Sequence, residues 1–372
     1  MTSAPSRRAA AATLAAAALL AGCAVPGPMS APVGMGPTEA REALLRVLPP
    51  SIDDRSGWAT DLHAALSTLE LPSTPEHLCA LLAVTEQESG FRADPAVPGL
   101  PAIARKEIER RADEAGVPQL ALRAALAISS PGGRSYAERL DTVKTKRQLS
   151  EIFEDFIGMV PMGRSFLASR NPVRTGGPMQ VAIAFAEAQV KAQRYPYPIG
   201  ESVRREVFTR RGGLYFGTAH LFGYDAPYDR LVYRYADFNA GRWASRNAGF
   251  QNALSVAAGL PVALDGDLLP PGGARGETER VAATLAGRLG LDDAAIRRDL
   301  EKGEQAGFEK TLLSQRVFAY AEQLDKRVLP RAVVPRIDLH SPKFTRRLTT
   351  AWFAQRVDER HRRCVERLAR DD

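Results

Sequence analysis

Apolar residues recur along this 372-residue chain mainly at the three- and four-residue spacing of amphipathic helices, and strand-like alternation is scarce. The pattern predicts a mainly α protein, with a linker at 260–276 and loop or short extended structure at 196–213. Helices are predicted at 38–47, 54–69, 178–192, 217–222, 227–238, 277–303, 305–329 and 342–370, with several more between 101 and 170, broken at 116–118, 130–133 and near Pro161.

One further helix is predicted to start at Thr74, a capping residue followed by a proline suited to the first turn, and to carry Glu88 near its end. Glu88 falls inside the apolar stripe of this helix, where burial would raise its pKa and keep it protonated as a proton donor. Glu86 is rotated from it by about 200°, so the two carboxylates cannot face one substrate. The stripe consists of Leu78, Leu81, Leu82, Val84 and Thr85.

The N-terminus has the pattern of a secretory signal. Two arginines precede an apolar run at 9–21 that is too short to span a bilayer of about 30 Å, and Leu-Ala-Gly-Cys follows at 20–23. That tetrapeptide resembles a bacterial lipobox, so we predict a signal peptide at 1–22, a lipid on Cys23 that anchors the chain to the membrane, and a flexible tether at 23–37. An ordinary signal peptide with a chance cysteine is the alternative. Ala24 is not the aspartate associated with inner-membrane retention, which favours an outer-membrane lipoprotein facing the periplasm.

The net charge of +7 becomes +5 once the two arginines of the predicted signal are removed, because that segment holds no acidic residue. A basic chain suits an anionic polymer, although an arginine-rich proteome would give the same composition. The basic residues are dispersed and no nucleic-acid motif is present, so no nucleic-acid partner is predicted.

Cysteine and histidine usage limits the chemistry further. Cys79 and Cys364 could pair in an oxidising periplasm, although the position of Cys79 in an apolar helix favours a small buried thiol. The five histidines have no metal-binding spacing, and we predict no metal and no cofactor.

Four short motifs in fixed order resemble those of lytic transglycosylases with a lysozyme-like fold. Glu-Ser-Gly-Phe at 88–91 is similar to the family's E-S-x-F, and Gly-Pro-Met-Gln at 177–180 to its G-L-M-Q. Gly-Thr-Ala-His-Leu at 217–221 resembles G-x-x-Y-L, and Phe-Asn-Ala-Gly at 238–241 resembles the end of A-Y-N-A-G. The likeness covers about residues 74–255.

The resemblance implies a peptidoglycan lytic transglycosylase that binds glycan strands in the periplasm and remodels the cell wall. Such an enzyme cleaves the β-1,4 bond between N-acetylmuramic acid and N-acetylglucosamine without a nucleophilic carboxylate. Glu88 would protonate the glycosidic oxygen, the substrate's acetamido group would stabilise the developing charge, and Glu88 would then act as base on the 6-hydroxyl to close a 1,6-anhydro ring.

The resemblance also assigns substrate-binding residues. Ser89 would offer a hydroxyl beside the sugar, Met179 and Gln180 would line the floor of the cleft, and Asn239 would hold an acetamide or hydroxyl. Each has a plainer interpretation when taken alone. Ser89 and Asn239 suit helix termini, Met179 suits a buried position, and Gln180 suits the surface.

The third motif departs from the family in two places. Phe238 stands where the family has a tyrosine, so a hydroxyl near the acid is missing, and Tyr235, one turn earlier, is a possible substitute. Asp237 replaces a small residue and is expected to point to solvent, although as a second carboxylate it would favour hydrolysis. A hydrolytic muramidase and a non-catalytic peptidoglycan-binding lipoprotein are therefore the alternatives.

The spacing between the first two motifs is also longer than in the family. Residues 96–174 are predicted to form a helical insertion that narrows or blocks the cleft. Arg164, Phe166, Arg170 and Arg174 in it could contact acidic stem peptides, although exposed solubilising charge is favoured. The predicted organisation is thus a catalytic domain at 38–258 containing this insertion, followed by a helical C-terminal region at 277–372 that pads the core or binds an unknown envelope protein.

Overall fold

The structure is a computed structural model that describes residues 34–160, 162–226, 228–339 and 347–370. The predicted signal peptide, the lipid site Cys23 and most of the tether lie outside the described residues. Gly34–Asp372 forms one compact unit. It is mainly helical, which confirms the predicted fold class at that level. In the described ranges, no helix combines the length and apolar character needed to cross a membrane.

The secondary structure consists of eighteen α-helices, two short antiparallel hairpins and four 3-10 turns in the described residues. The hairpins pair β1 (Thr175–Gly176) with β2 (Val181–Ala182), and β3 (Asp338–Leu339) with β4 (Leu348–Thr349). The 3-10 turns are Ala168–Arg170, Pro271–Gly273, Glu301–Glu304 and Phe308–Lys310. The helices are α1 (Pro37–Val47), α2 (Arg55–Thr68), α3 (Pro75–Ser89), α4 (Leu100–Glu114), α5 (Gln119–Leu126), α6 (Tyr136–Asp141), α7 (Lys146–Gly158), α8 (Gly163–Leu167), α9 (Ile183–Ala192), α10 (Val203–Val207), α11 (Arg210–Phe222), α12 (Leu231–Ala240), α13 (Ala244–Ala258), α14 (Glu277–Thr284), α15 (Ala286–Leu289), α16 (Asp293–Leu300), α17 (Leu312–Asp325) and α18 (Thr350–Arg370).

The helix that carries Glu88 has the predicted start. The Thr74 hydroxyl accepts a hydrogen bond from the His77 N–H at 3.2 Å, and Pro75 opens the first turn of α3. The helix ends at Gly90, whose φ of 58° lies in the left-handed region that glycine tolerates. Local capping therefore fixes both ends of α3 around Glu88.

The second motif forms a hairpin turn instead of the predicted helix start at Pro178. The Gln180 N–H donates to the Gly177 carbonyl at 3.1 Å, and both residues have positive φ, which closes a tight turn between β1 and β2. The next helix, α9, consequently begins at Ile183, five residues later than predicted.

Residues 196–213 also differ from the expected loop, because α10 and the start of α11 lie there. The hydroxyls of Ser202 and Thr209 accept hydrogen bonds from backbone N–H groups three residues ahead, which caps both helices. Two consecutive glycines in the first turn of α11 obscured the helix in the sequence. A Cβ at Gly213 would collide with Pro178, so the glycine lets α11 approach the hairpin turn.

Two clusters of buried apolar residues divide the helices differently from the predicted domains. The first cluster runs from α1 to α12 and includes α18, whereas the second is formed by α13 to α17 and the linker before α14. Helix α18 packs against α3 and α12. The last helix therefore belongs with the helix that carries Glu88, and α13 belongs with the C-terminal helices.

A disulfide joins Cys79 of α3 to Cys364 of α18, with a Cα–Cα distance of 5.5 Å. The favoured interpretation of Cys79 as a free buried thiol is therefore wrong, although its side chain is fully buried as expected. The sequence showed that the two cysteines could pair but not that they meet. They are 285 residues apart, and they approach each other only because α18 packs back against α3.

Candidate functional site

A groove of about 380 Å³ lies at the end of α3. Its lining includes Glu88, Gln180 and Asn239, which come from three of the four motifs, and also Asp94, Lys146 and Trp352, which sequence reasoning did not select. Contributions from α3, α7, α12, α18 and the β1–β2 turn meet there. The groove therefore combines the region of the family resemblance, the predicted insertion and the C-terminal helix.

Glu88 lies in the last turn of α3 and is half-buried at the groove. Glu86 is exposed, and its carboxylate is 3.2 Å from the Arg360 Nε of α18. The two acids therefore point in different directions, as their spacing on the helix predicts. Of this pair, only Glu88 lines the groove.

Both polar atoms of the Gln180 side-chain amide form hydrogen bonds. Its Nε2 donates to the Gly177 carbonyl at 2.8 Å, and its Oε1 accepts from the Lys146 Nζ at 2.7 Å. Lys146 also donates to the Thr175 hydroxyl at 2.7 Å. Each amide atom has capacity for one more hydrogen bond, so Gln180 can still contact a ligand in a fixed orientation.

Asn239, in the last turn of α12, is exposed at the groove. Its Oδ1 accepts a hydrogen bond from the buried Thr350 hydroxyl at 2.8 Å, at the first residue of α18. This contact leaves the amide N–H₂ as the donor that Asn239 offers to a ligand. The third motif is thus oriented by the C-terminal helix.

Two predicted substrate-binding residues lie outside the lining of the groove. Ser89 is buried, donates from its hydroxyl to the Thr85 carbonyl at 3.0 Å and accepts from the Arg92 N–H at 3.3 Å, which is a helix-end role. Met179 is fully buried under α11, where it fills the space beside Gly217. Neither side chain lines the groove, and the plainer interpretations describe their positions in this structure.

Phe238 and Tyr235 do not supply the missing hydroxyl. Phe238 is half-buried with its ring centre 5.0 Å from that of His220, and it is not among the residues lining the groove. Tyr235 is fully buried against His361, with ring centres 6.0 Å apart. Tyr235 therefore cannot replace the family's tyrosine at the groove surface.

His220 occupies the tyrosine position of the resembling G-x-x-Y-L motif. Burial lowers its pKa to about 4, with a smaller contribution in the same direction from Arg242. Its Nδ1 is buried without a hydrogen-bond partner, and its Nε2 lies 3.3 Å from the Phe238 carbonyl. His220 is therefore neutral near pH 7, and it contacts both the backbone carbonyl and the ring of Phe238 in the third motif.

Asp237 is buried, which corrects the prediction that it points to solvent. Its carboxylate accepts hydrogen bonds from the hydroxyls of Tyr224 and Tyr228 and from the N–H groups of Trp243 and Ser245, at 2.6–3.0 Å. Burial raises its pKa, and these hydrogen bonds oppose the rise. Asp237 holds α12 to the start of α13 and is absent from the groove lining, so it cannot act there as a second carboxylate.

Asp94 is the second carboxylate of the groove lining. It lies 3.2 Å from the Arg147 Nε, while its Oδ1 is buried without a hydrogen-bond partner. Nothing in the local sequence pattern places Asp94 or Lys146 at the same groove as Glu88. Across the described part of the chain, no three His, Cys, Asp or Glu side chains are arranged to hold a metal ion.

Comparison with known proteins gives the family. A family model described as a protein of unknown function, DUF1615, matches residues 51–367. The chain belongs to the DUF1615 family. The matched region of this DUF1615 chain spans every residue that lines the groove.

Among the relatives of this DUF1615 chain is the uncharacterized protein YaiW of Escherichia coli (strain K12). The two are 50% identical over 355 residues, which cover 95% of this chain and 97% of that protein. The similarity therefore extends over nearly the whole chain. No solved structure matches the chain.

Proposed function

We propose that this DUF1615 protein is a peptidoglycan lytic transglycosylase with a lysozyme-like catalytic core. The observation that carries the proposal is that Glu88, Gln180 and Asn239 line one groove although they come from separate motifs. A cavity of about 380 Å³ with an acid and two amides suits a saccharide, because amides pair with hydroxyl and acetamido groups.

In this mechanism, Glu88 donates its proton to the glycosidic oxygen between N-acetylmuramic acid and N-acetylglucosamine. The substrate's acetamido oxygen stabilises the charge at the anomeric carbon, which is substrate-assisted chemistry. The ionised Glu88 then removes the proton of the 6-hydroxyl, whose oxygen closes the 1,6-anhydro ring. No external water is consumed. Gln180 and Asn239 orient the sugar beside the acid.

The decisive experiment compares Glu88→Gln with Glu86→Gln on purified sacculi. Loss of a general acid costs about a hundredfold to ten-thousandfold in rate, so Glu88→Gln should release almost no muropeptides. Glu86→Gln is the matched control, since Glu86 lies on the same helix and outside the groove lining. Full activity of Glu88→Gln would falsify the assignment, provided that both variants keep the wild-type melting temperature.

A hydrolytic muramidase is the second candidate, and it is favoured because Asp94 as well as Glu88 lines the groove. A second carboxylate can activate water at the anomeric carbon, which gives a reducing end. Mass spectrometry separates the products, because the anhydro sugar is lighter by one water. Asp94→Asn would abolish hydrolysis but leave transglycosylation.

A non-catalytic peptidoglycan-binding lipoprotein is the third candidate. It is favoured by the absence of a tyrosine from the described residues that line the groove, since the family's hydroxyl near the acid is missing. Retention on sacculi with no released product from the wild-type chain would select this function.

We further propose that the protein acts as an outer-membrane lipoprotein in the periplasm, anchored through Cys23. The disulfide between Cys79 and Cys364 supports an oxidising compartment. Incorporation of labelled palmitate into the wild-type chain and not into Cys23→Ser, together with membrane fractionation, tests this location.

A further inference from the structure

A second cavity, larger than the groove at Glu88, is lined by residues of α12, α13 and α17 and has a volume of about 630 Å³. No residue lines both cavities. A water molecule occupies about 30 Å³ in the liquid, so the cavity has room for about twenty non-hydrogen atoms, close to the size of a disaccharide. We call this cavity the α17 cleft, since α17 contributes Gln315, Phe318 and Glu322 to its lining.

Most charged side chains of the α17 cleft are paired with one another. Arg246 Nη1 lies 3.2 Å from the Glu309 carboxylate, and Arg331 Nη1 lies 2.9 Å from that of Glu322. Asp229, which is exposed, is the remaining charged residue of the lining. Three acids against two arginines leave a net charge of −1, which disfavours an anionic ligand. A single exposed carboxylate attracts a cation only weakly, because solvent screens it.

The same pairing disfavours a ligand that carries charges of both signs. A zwitterionic peptide would have to compete with the Arg246–Glu309 and Arg331–Glu322 contacts, and a displaced partner would be left without its counter-charge. The arginine of the first pair is itself buried. A neutral ligand leaves both pairs intact and can still bond to the remaining donors and acceptors.

Several groups in the lining have unused hydrogen-bonding capacity. Within the described part of the chain, the Gln315 side-chain amide and the Tyr233 hydroxyl form no hydrogen bond, and Gln315 is exposed. Arg331 uses Nη1 for Glu322, so other N–H groups of its guanidinium are available, and Glu309 receives Arg246 on Oε2 only. Donors and acceptors are therefore mixed, and the hydroxyl group is the ligand group that pairs with either kind.

Aromatic rings supply much of the apolar lining. The guanidinium carbon of Arg331 lies 4.0 Å from the centre of the Phe318 ring, a cation–π contact that positions the arginine. Tyr233 is half-buried, and its ring centre lies 5.6 Å from that of Tyr228, which also lines the cleft. A sugar ring has apolar C–H faces and a polar edge, so it matches aromatic rings that stand beside hydrogen-bonding groups.

The wall that follows α17 is held in place without a ligand. The Leu329 N–H donates to the Glu322 carboxylate at 2.9 Å, and the Val333 N–H donates to the Ser245 carbonyl at 2.9 Å. Arg331 lies between these two contacts in the chain and adds its own ion pair to Glu322. A ligand that binds here therefore pays little conformational entropy to order the wall.

We propose that the α17 cleft is a saccharide-binding site that takes a disaccharide unit of a neutral glycan. The Tyr233 ring contacts the apolar face of a sugar, while Gln315 and Arg331 form hydrogen bonds with its hydroxyl groups. The proposal does not depend on the proposed enzymatic function, because the cleft shares no lining residue with the groove and is tested by binding alone.

Isothermal titration calorimetry tests the proposal. Cellobiose, maltose and diacetylchitobiose are the probes, and glutamyl-lysine, which carries charges of both signs, is the comparison ligand. The protein carries Glu88→Gln and Asn239→Ala, so that the groove presents neither its acid nor the Asn239 amide. At least one disaccharide should bind with a Kd below about 1 mM, and glutamyl-lysine should bind at least tenfold more weakly.

A matched pair of double variants in this protein locates the site. Gln315→Ala with Arg331→Gln removes hydrogen-bonding groups of the cleft and should raise the Kd at least about tenfold. Gln323→Ala with Arg327→Gln is the control, since these residues are of the same types and lie outside the lining, and it should leave the Kd unchanged. All four side chains are exposed, so the melting temperatures should stay close to that of the starting protein.

The proposal is overturned if none of the three disaccharides binds. It is also overturned if the cleft variant binds them as tightly as the control variant does, because the saccharide would then occupy another surface. If glutamyl-lysine binds more tightly than the disaccharides and the cleft variant loses it, the α17 cleft is a peptide site and the saccharide assignment is wrong.

Discussion

Lys146 donates from its Nζ to the side-chain oxygen of Gln180 at 2.7 Å, across 34 residues of sequence. Lys146 is the first residue of α7, so a helix of the insertion holds a side chain of the second motif. The packing of α7 therefore fixes the orientation of a residue that lines the groove.

Replacing Lys146 with Met keeps most of the apolar stem and removes the hydrogen-bond donors. A hydrogen bond from a charged group contributes about 1.5–3 kcal/mol, so we expect kcat/KM on sacculi to fall about tenfold to a hundredfold. Lys146→Arg should retain part of the activity, since it keeps a donor. Lys144→Met is the control, because Lys144 is exposed and lies outside the groove lining. Equal rates for the two Met variants would contradict this role of Lys146.

Breaking the disulfide should destabilise the fold. The Cys79–Cys364 bond closes a loop of 285 residues, and the chain-entropy model gives a contribution of up to about 5 kcal/mol for a loop of this size. Urea unfolding with and without reductant measures the difference. The double variant Cys79→Ser with Cys364→Ser should unfold at lower urea and should not respond to reductant. A wild-type midpoint that is insensitive to reductant, with both thiols titrating as free, would argue against the bond.

Stability should fall in acid through His220. Its pKa is about 4 in the folded chain and about 6.5 when unfolded, so between these values only the unfolded chain binds the proton. The folded state therefore loses about 3 kcal/mol as the pH falls from 6.5 to 4. Urea midpoints across this range should show the loss in wild type and a flatter profile in His220→Gln. Identical profiles would show that His220 does not titrate differently in the two states.

Gly217→Ala tests the close contact between α11 and the hairpin turn. The added methyl group would collide with Met179, and overpacking of this kind costs about 1–3 kcal/mol. Gly287→Ala is the matched control, since Gly287 is in a helix and a Cβ there meets nothing within 4 Å. The control should be neutral or slightly stabilising, because alanine favours helix. Thermal unfolding measures the melting temperature of both variants. An unchanged melting temperature for Gly217→Ala would mean that Met179 and the hairpin turn can move to accommodate the methyl group.

The sequence predicted features that depend on local chemistry. The start of α3 followed from a capping threonine and a proline, and the placement of Glu88 relative to Glu86 followed from helical geometry. The mainly α class followed from the apolar period. The grouping of Glu88, Gln180 and Asn239 required the family resemblance, since no local rule brings three distant segments to one groove.

The features that were missed depend on long-range packing or unusual backbone. Gln180 has a φ of 50°, a left-handed backbone conformation that glutamine rarely adopts. The sequence therefore did not indicate a hairpin turn, and a helix start was predicted there instead. Asp237 appeared solvent-facing because a carboxylate is seldom buried, and its four donors come from residues before and after it in the chain. Trp352 reaches the groove only because α18 returns to α3.

That return of α18 has a consequence for biogenesis. Glu88 is translated long before Thr350, which orients Asn239, and before Trp352, which completes the wall of the groove. A nascent polypeptide consequently has no finished groove until α18 has been synthesised. A stop codon before Thr350 would remove the partner of Asn239 together with Trp352 and Phe353 of the cleft wall.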